Sequence, residues 1–164
     1  MTTGIPLTDY EQKIIDYVEN DGCFVTGVFD PDDIEPSFSY SVGFPKSVRQ
    51  GEVIVFGLSH SLMHQMINAI WKSCSQGVVL ADGLKMSGIL DGFQIIVRKI
   101  VPEKIVPEFF NSAIWFHRRT FERELVDAYQ IVWPGAQQGL FPWEAGCDEY
   151  VIAQQPALYQ LSTH

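Results

Sequence analysis

His60 and His64 stand four residues apart in the run His60-Ser61-Leu62-Met63-His64. That spacing puts two imidazoles on one face of a helix, as a pair of metal ligands requires. The glutamate of the His-Glu-x-x-His metalloprotease motif is missing, and a third ligand would have to come from far away, with His117 or a carboxylate as candidates. The plainer reading is two histidines at the border of an apolar helical stripe beside Trp71. On that reading the chain holds no metal and no cofactor.

A second group is acidic. Asp30, Asp32, Asp33 and Glu35 bring four carboxylates into six residues. The spacing is not that of a calcium-binding EF-hand loop, whose central glycine and terminal glutamate are absent, and Pro31 and Pro36 stiffen the segment. These carboxylates read as a solvated loop or as a docking site for a basic partner protein. Cys23, Cys74 and Cys147 lie far apart and form no Cys-x-x-Cys pair. They read as reduced thiols in a cytoplasmic setting. No Gly-x-Ser-x-Gly elbow, phosphate-binding loop or dinucleotide fingerprint occurs.

The elements that must position these groups follow from periodicity. Thr8-Asp9-Tyr10-Glu11 has capping-box spacing, and Ile14, Ile15, Tyr17 and Val18 then mark a helix over about residues 9–20, stopped by Gly22. Cys23 to Phe29 reads as a strand. Phe38-Ser39-Tyr40-Ser41-Val42-Gly43-Phe44 alternates strictly, with the large side chains on one face and Ser39, Ser41 and Gly43 on the other. These two strands form an antiparallel hairpin across the acidic loop.

Val53 to Leu58 is apolar throughout, as in a strand covered on both faces. Ser59 caps a helix whose stripe is Met63, Met66, Ile67, Ile70 and Cys74. Leu84–Leu90 and Phe93–Val101 read as strands, residues 107–119 as a helix opened by Pro107, and Leu125–Trp133 as the last strand. Beyond it lies an ordered aromatic and proline-rich tail. The whole reads as one α+β domain over residues 1–164, with a mostly antiparallel sheet of five or six strands and about three helices.

Composition narrows the function. With 164 residues and 46% hydrophobic side chains, the chain can bury a full core. The net charge is −9, and residues 1–35 carry nine acids against one base, while residues 36–164 are near balance. Nucleic-acid binding needs a basic stripe, and none is evident: Arg118, Arg119 and Arg123 are interleaved with Glu122 and Glu124. No run is long enough to span a membrane, and the first residues lack the pattern of a secretory signal.

The ends of the strands carry a further signature. Gly22-Cys23-Phe24-Val25, the Phe38–Phe44 alternation, Val53–Leu58, Gln130-Ile131-Val132-Trp133-Pro134, Gly139-Leu140-Phe141-Pro142-Trp143-Glu144 and Gln155-Pro156 together resemble the bacterial family known as domain of unknown function 4262. The chain departs from that pattern in having Cys23 for a usual Trp, Ser41 for Thr and Gly135 for Asp. The resemblance implies a bacterial, cytosolic protein and brings no catalytic residue with it.

Two functional classes remain open at this stage. One is a non-catalytic binding module whose residues Asp30, Asp32, Asp33 and Glu35 dock a basic protein, such as a toxin or nuclease that it restrains. The other is an enzyme or small-ligand binder. Its pocket would be lined by Tyr40, Trp133 and Trp143, with His60, His64 or His117 nearby and Arg98 supplying polar contacts.

Overall fold

The computed structural model describes residues 5–161. Its centre is one six-stranded sheet. Strands β1 (Phe24–Val28), β2 (Phe38–Val42), β3 (Glu52–Phe56), β4 (Lys85–Leu90), β5 (Phe93–Lys99) and β6 (Ala128–Val132) lie in the spatial order β1-β2-β3-β6-β5-β4. All neighbours pair antiparallel except β3 and β6, which run parallel with Glu52 opposite Ala128 and Val55 opposite Ile131. The α+β class and the β1–β2 hairpin agree with the sequence reading.

Alternation along the central strands sends side chains to two separate cores. Val53 and Val55 of β3 face α3 (His60–Ser75), where Met63, Met66, Ile67 and Ile70 are fully buried. Ile54 and Phe56 face the other side, where α1 (Asp9–Asp21) and α4 (Pro107–Phe121) bring Ile14, Val18 and Phe110. Burial on both faces explains why β2 and β3 are buried at every position.

The expected capping box is present. Thr8 Oγ1 accepts from Glu11 N at 3.0 Å, and Glu11 Oε1 accepts from Thr8 N at 2.9 Å. Gly22 then ends α1 with φ at +93°. The glycine is needed twice over, because a Cβ built there would lie 2.1 Å from the Trp71 ring.

The structure adds two short helices that periodicity could not reveal, α2 (Phe44–Ser47) and α5 (Glu149–Gln154). The first cuts β2 short. Gly43 turns to a φ of +109°, so Phe44 starts a helix instead of extending the strand. Two buried glutamines tie the segment around α5 to β6. Gln155 accepts from Trp133 N and donates to Trp133 O, and Gln130 donates to Pro156 O and accepts from Leu158 N. Each buried amide is paired at both ends, which removes the desolvation cost of an unmade bond. Among the described residues no helix is long and apolar enough to cross a membrane.

Candidate functional site

The small face of β2 is filled from two directions. His60, at the first turn of α3, sets Nδ1 3.3 Å from Ser39 Oγ, and its ring lies under Phe29 with centroids 3.8 Å apart. Gly27 on β1 makes room for it, since a Cβ there would come within 2.4 Å of Nδ1. His60 Nε2 is buried without a partner, and burial pushes the imidazole pKa down, so the ring stays neutral. Packing against Ser39 and Phe29 is what this histidine does.

His64 lies one helical turn on and lines a different cavity, of about 400 Å³, together with Cys23, Asp21 and Asn68. The thiol of Cys23 donates to Asn68 Oδ1 at 3.7 Å. Its pKa is pushed up to about 12, first by burial and then by the negative charges of Glu52 and Asp21. A nucleophilic cysteine needs the opposite surroundings, a neighbouring cation or helix N-terminus that favours the thiolate. Cys23 is therefore a buried thiol without nucleophilic character. His117 lies elsewhere, on α4 against Phe121. Among the described residues no three His, Cys, Asp or Glu side chains come together as metal ligands.

The remaining residues proposed for a pocket are dispersed. Tyr40 faces the α1–α4 core, where its hydroxyl accepts from Ser112 N at 2.9 Å. Trp133 is 7% exposed in the opposite core and donates its indole N–H to Phe56 O at 2.7 Å. Arg98 and Trp143 do meet. The guanidinium lies 4.7 Å from the Trp143 ring and 4.4 Å from the Tyr159 ring, and it pairs with Asp82 at 3.0 Å. A cation held between two rings and a carboxylate fastens the 141–160 segment to β5. Of the six residues Tyr40, His60, His64, Arg98, Trp133 and Trp143, only Arg98 and Trp143 touch each other by these interactions.

The acidic loop has a definite internal structure. Asp30 accepts three backbone N–H groups, from Asp32 at 3.0 Å, Ile34 at 3.1 Å and Glu35 at 2.8 Å. Those donors, Glu35 first, hold its carboxyl below the usual carboxylate range. Asp30 is thus the internal brace of the loop. Asp32, Asp33 and Glu35 point outward beside Ile34, which is 78% exposed, and Phe29, which is 67% exposed.

One residue with strongly perturbed chemistry had no sequence signal. Glu52 opens β3 and is fully buried. Its carboxyl oxygens accept from Ser41 Oγ at 2.7 Å, Gly43 N at 2.8 Å and Phe44 N at 3.2 Å. Ser41 Oγ in turn accepts from Val53 N at 2.9 Å. Burial raises the Glu52 pKa to about 7 against the pull of these three donors. The carboxyl pins the start of α2 to the start of β3. A single acid next to an apolar run reads as the solvated end of a strand, so the sequence gives no warning of its burial.

Comparison with curated proteins and with solved structures gives no match. A family model matches residues 17–148, a span that holds the acidic loop, Glu52, Arg98 and both Trp133 and Trp143. The chain belongs to the family described as Domain of unknown function (DUF4262).

Proposed function

We propose that the protein is a non-catalytic interaction module of the bacterial cytoplasm that docks a basic partner protein through the β1–β2 loop. The observation that carries this reading is the threefold bracing of the loop by Asp30. A braced loop loses little conformational entropy on binding, so its exposed groups are ready for a partner. Those groups are the carboxylates of Asp32, Asp33 and Glu35 around the apolar side chains of Phe29 and Ile34.

The sequence contains no lysine or arginine between Lys13 and Lys46. The loop's negative field is therefore not cancelled by neighbours in the chain, and it would speed the approach of a cationic surface. Phe29 and Ile34 would supply the apolar anchor that charge alone lacks. The dispersal of Tyr40, Trp133, the histidines and Cys23, and the inert state of the Cys23 thiol, support a non-catalytic role.

The test is affinity capture from the source cell's lysate with the wild-type chain and with an Asp32→Asn, Asp33→Asn, Glu35→Gln variant. The variant should lose the partner that the wild type retains at low salt, and its melting temperature should be unchanged, because these three side chains brace nothing. A variant that retains the same partner sinks the proposal.

A further inference from the structure

At the far end of β2 from the acidic loop lies a groove of about 690 Å³ between the α2–β3 turn and the end of α4. Its walls carry Lys46, Arg49, Arg123 and His117, and also the carboxylates of Glu124 and Asp127. The acids are already engaged from outside the groove. Glu124 accepts two bonds from Arg118, both at 2.8 Å, and Asp127 lies 3.7 Å from Lys99 Nζ. Among the described residues Lys46, Arg49 and Arg123 take part in no salt bridge. The lining thus holds three cations without a salt bridge against two carboxylates that each have a partner outside it, on a chain of net charge −9.

Three details indicate a built site. Arg49 holds a φ of +58°, a region where side chains with a Cβ are disfavoured and where Gly, Asn or Asp is the usual occupant. The guanidinium of Arg123 is set 5.4 Å from the Phe121 ring centroid, which limits its freedom. His117 is only 7% exposed, and its Nδ1 is buried without a partner. Burial, and then the charge of Arg123, push its pKa down against the smaller opposite pull of Asp127 and Glu124, and the ring is kept neutral. A buried N–H without an acceptor is costly, so the proton belongs on Nε2, the other ring nitrogen of a residue that lines the groove.

We propose that this groove binds a small phosphate monoester. Two guanidinium forks and an ammonium match a phosphate dianion better than a single carboxylate. The neutral His117 Nε2–H adds a directional donor without further charge. Phe121, Leu125 and Val126 offer an apolar wall to the organic part of the ligand, and the volume suits a small molecule. Glu52 contributes from behind, by fixing the first amides of the helix that carries Lys46. This proposal is independent of the docking loop.

Thermal melting in inorganic phosphate and in phenyl phosphate tests it, with sodium chloride at equal ionic strength as the control. The wild type should gain melting temperature saturably with both phosphates, and more with phenyl phosphate at equal concentration. Arg49→Gly should melt no lower than wild type without ligand, because glycine fits the left-handed turn, and should weaken the phosphate response by about tenfold or more. Arg123→Gln should weaken it likewise. A wild-type rise that chloride reproduces, a rise that both variants keep, or no rise in the wild type overturns the proposal.

Discussion

Replacing Glu52 by glutamine should change how stability depends on pH, and the sign of the change follows from the site. The folded chain raises the pKa of this carboxyl from 4.5 to about 7. The folded state therefore holds its proton more tightly than the unfolded state does. The resulting stabilisation is fully present below about pH 4.5, falls as pH rises through the interval, and is lost above about pH 7. At roughly 1.4 kcal/mol per pKa unit, the total swing is about 3 kcal/mol. His60 and His117 act in the opposite direction. Burial lowers both of their pKa values, so the folded state binds fewer protons and stability rises with pH up to their ordinary value of 6.5. The wild-type profile adds these opposing slopes, and only the difference between wild type and Glu52→Gln isolates the carboxyl.

Glutamine cannot ionise, and its amide cannot accept from all three donors. Kept as acceptor toward Gly43 N, its oxygen leaves the –NH₂ to donate to Ser41 Oγ, and both Phe44 N–H and Ser41 O–H lose their acceptor. An unpaired buried donor costs about 1–3 kcal/mol, and the Ser41 hydroxyl can turn to lessen its share. Near pH 5 the variant should be less stable than wild type by about that amount. Near pH 8 the wild type carries a buried charge worth about 3 kcal/mol of destabilisation, so the gap should close or reverse. Urea unfolding across that pH range measures both curves. Two curves that stay parallel would show that Glu52 does not titrate in this window and would refute the reasoning.

Two further outcomes test the packing. Trp133→Ala should cost about 3–5 kcal/mol, because the indole is nearly fully buried and its loss leaves Phe56 O without a donor. Trp143→Ala should cost about 1–2 kcal/mol, since that ring is 38% exposed and gives up its interaction with Arg98 and its contacts with the Phe141 and Tyr159 rings. Chemical denaturation of the two variants side by side checks the order, and equal losses would contradict it. Gly22→Ala should destabilise more than Gly77→Ala. Both positions have positive φ, but the first Cβ meets Trp71 and the second meets open space. A smaller loss at Gly22 would mean that the Trp71 ring moves aside at no cost.

The elements that could be read from the sequence are those whose signal is local. The capping box at Thr8 and Glu11 and the stripe of α3 sit within a few turns of helix, and the alternation from Phe38 to Val42 sits within one strand. The parallel pairing of β3 with β6 joins residues more than seventy positions apart, and nothing in either strand names the other. Helix α2 is a single turn, too short to show a period, and its start depends on a carboxylate eight residues later.

The same division governs the candidate sites. The acidic loop is a local cluster and stands out in the sequence, yet its four carboxylates look alike there. Only the hydrogen bonds separate Asp30, turned inward on three amides, from the three that face solvent. The basic groove is the reverse case. Lys46 and Arg49 come from one turn, while His117 and Arg123 come from a helix end some seventy residues later, so no window of sequence contains them together. Arg118, Arg119 and Arg123 read as a charge-balanced helix end because Glu122 and Glu124 lie among them. That balance breaks in three dimensions, where Glu124 turns to Arg118 and leaves Arg123 over Phe121. Charge counted along a chain does not say which base an acid takes, and here Glu124 takes Arg118 and Asp127 takes Lys99, which leaves Arg123 without a salt bridge among the described residues. The cationic groove exists for that reason, and it stands at the opposite end of β2 from the anionic loop.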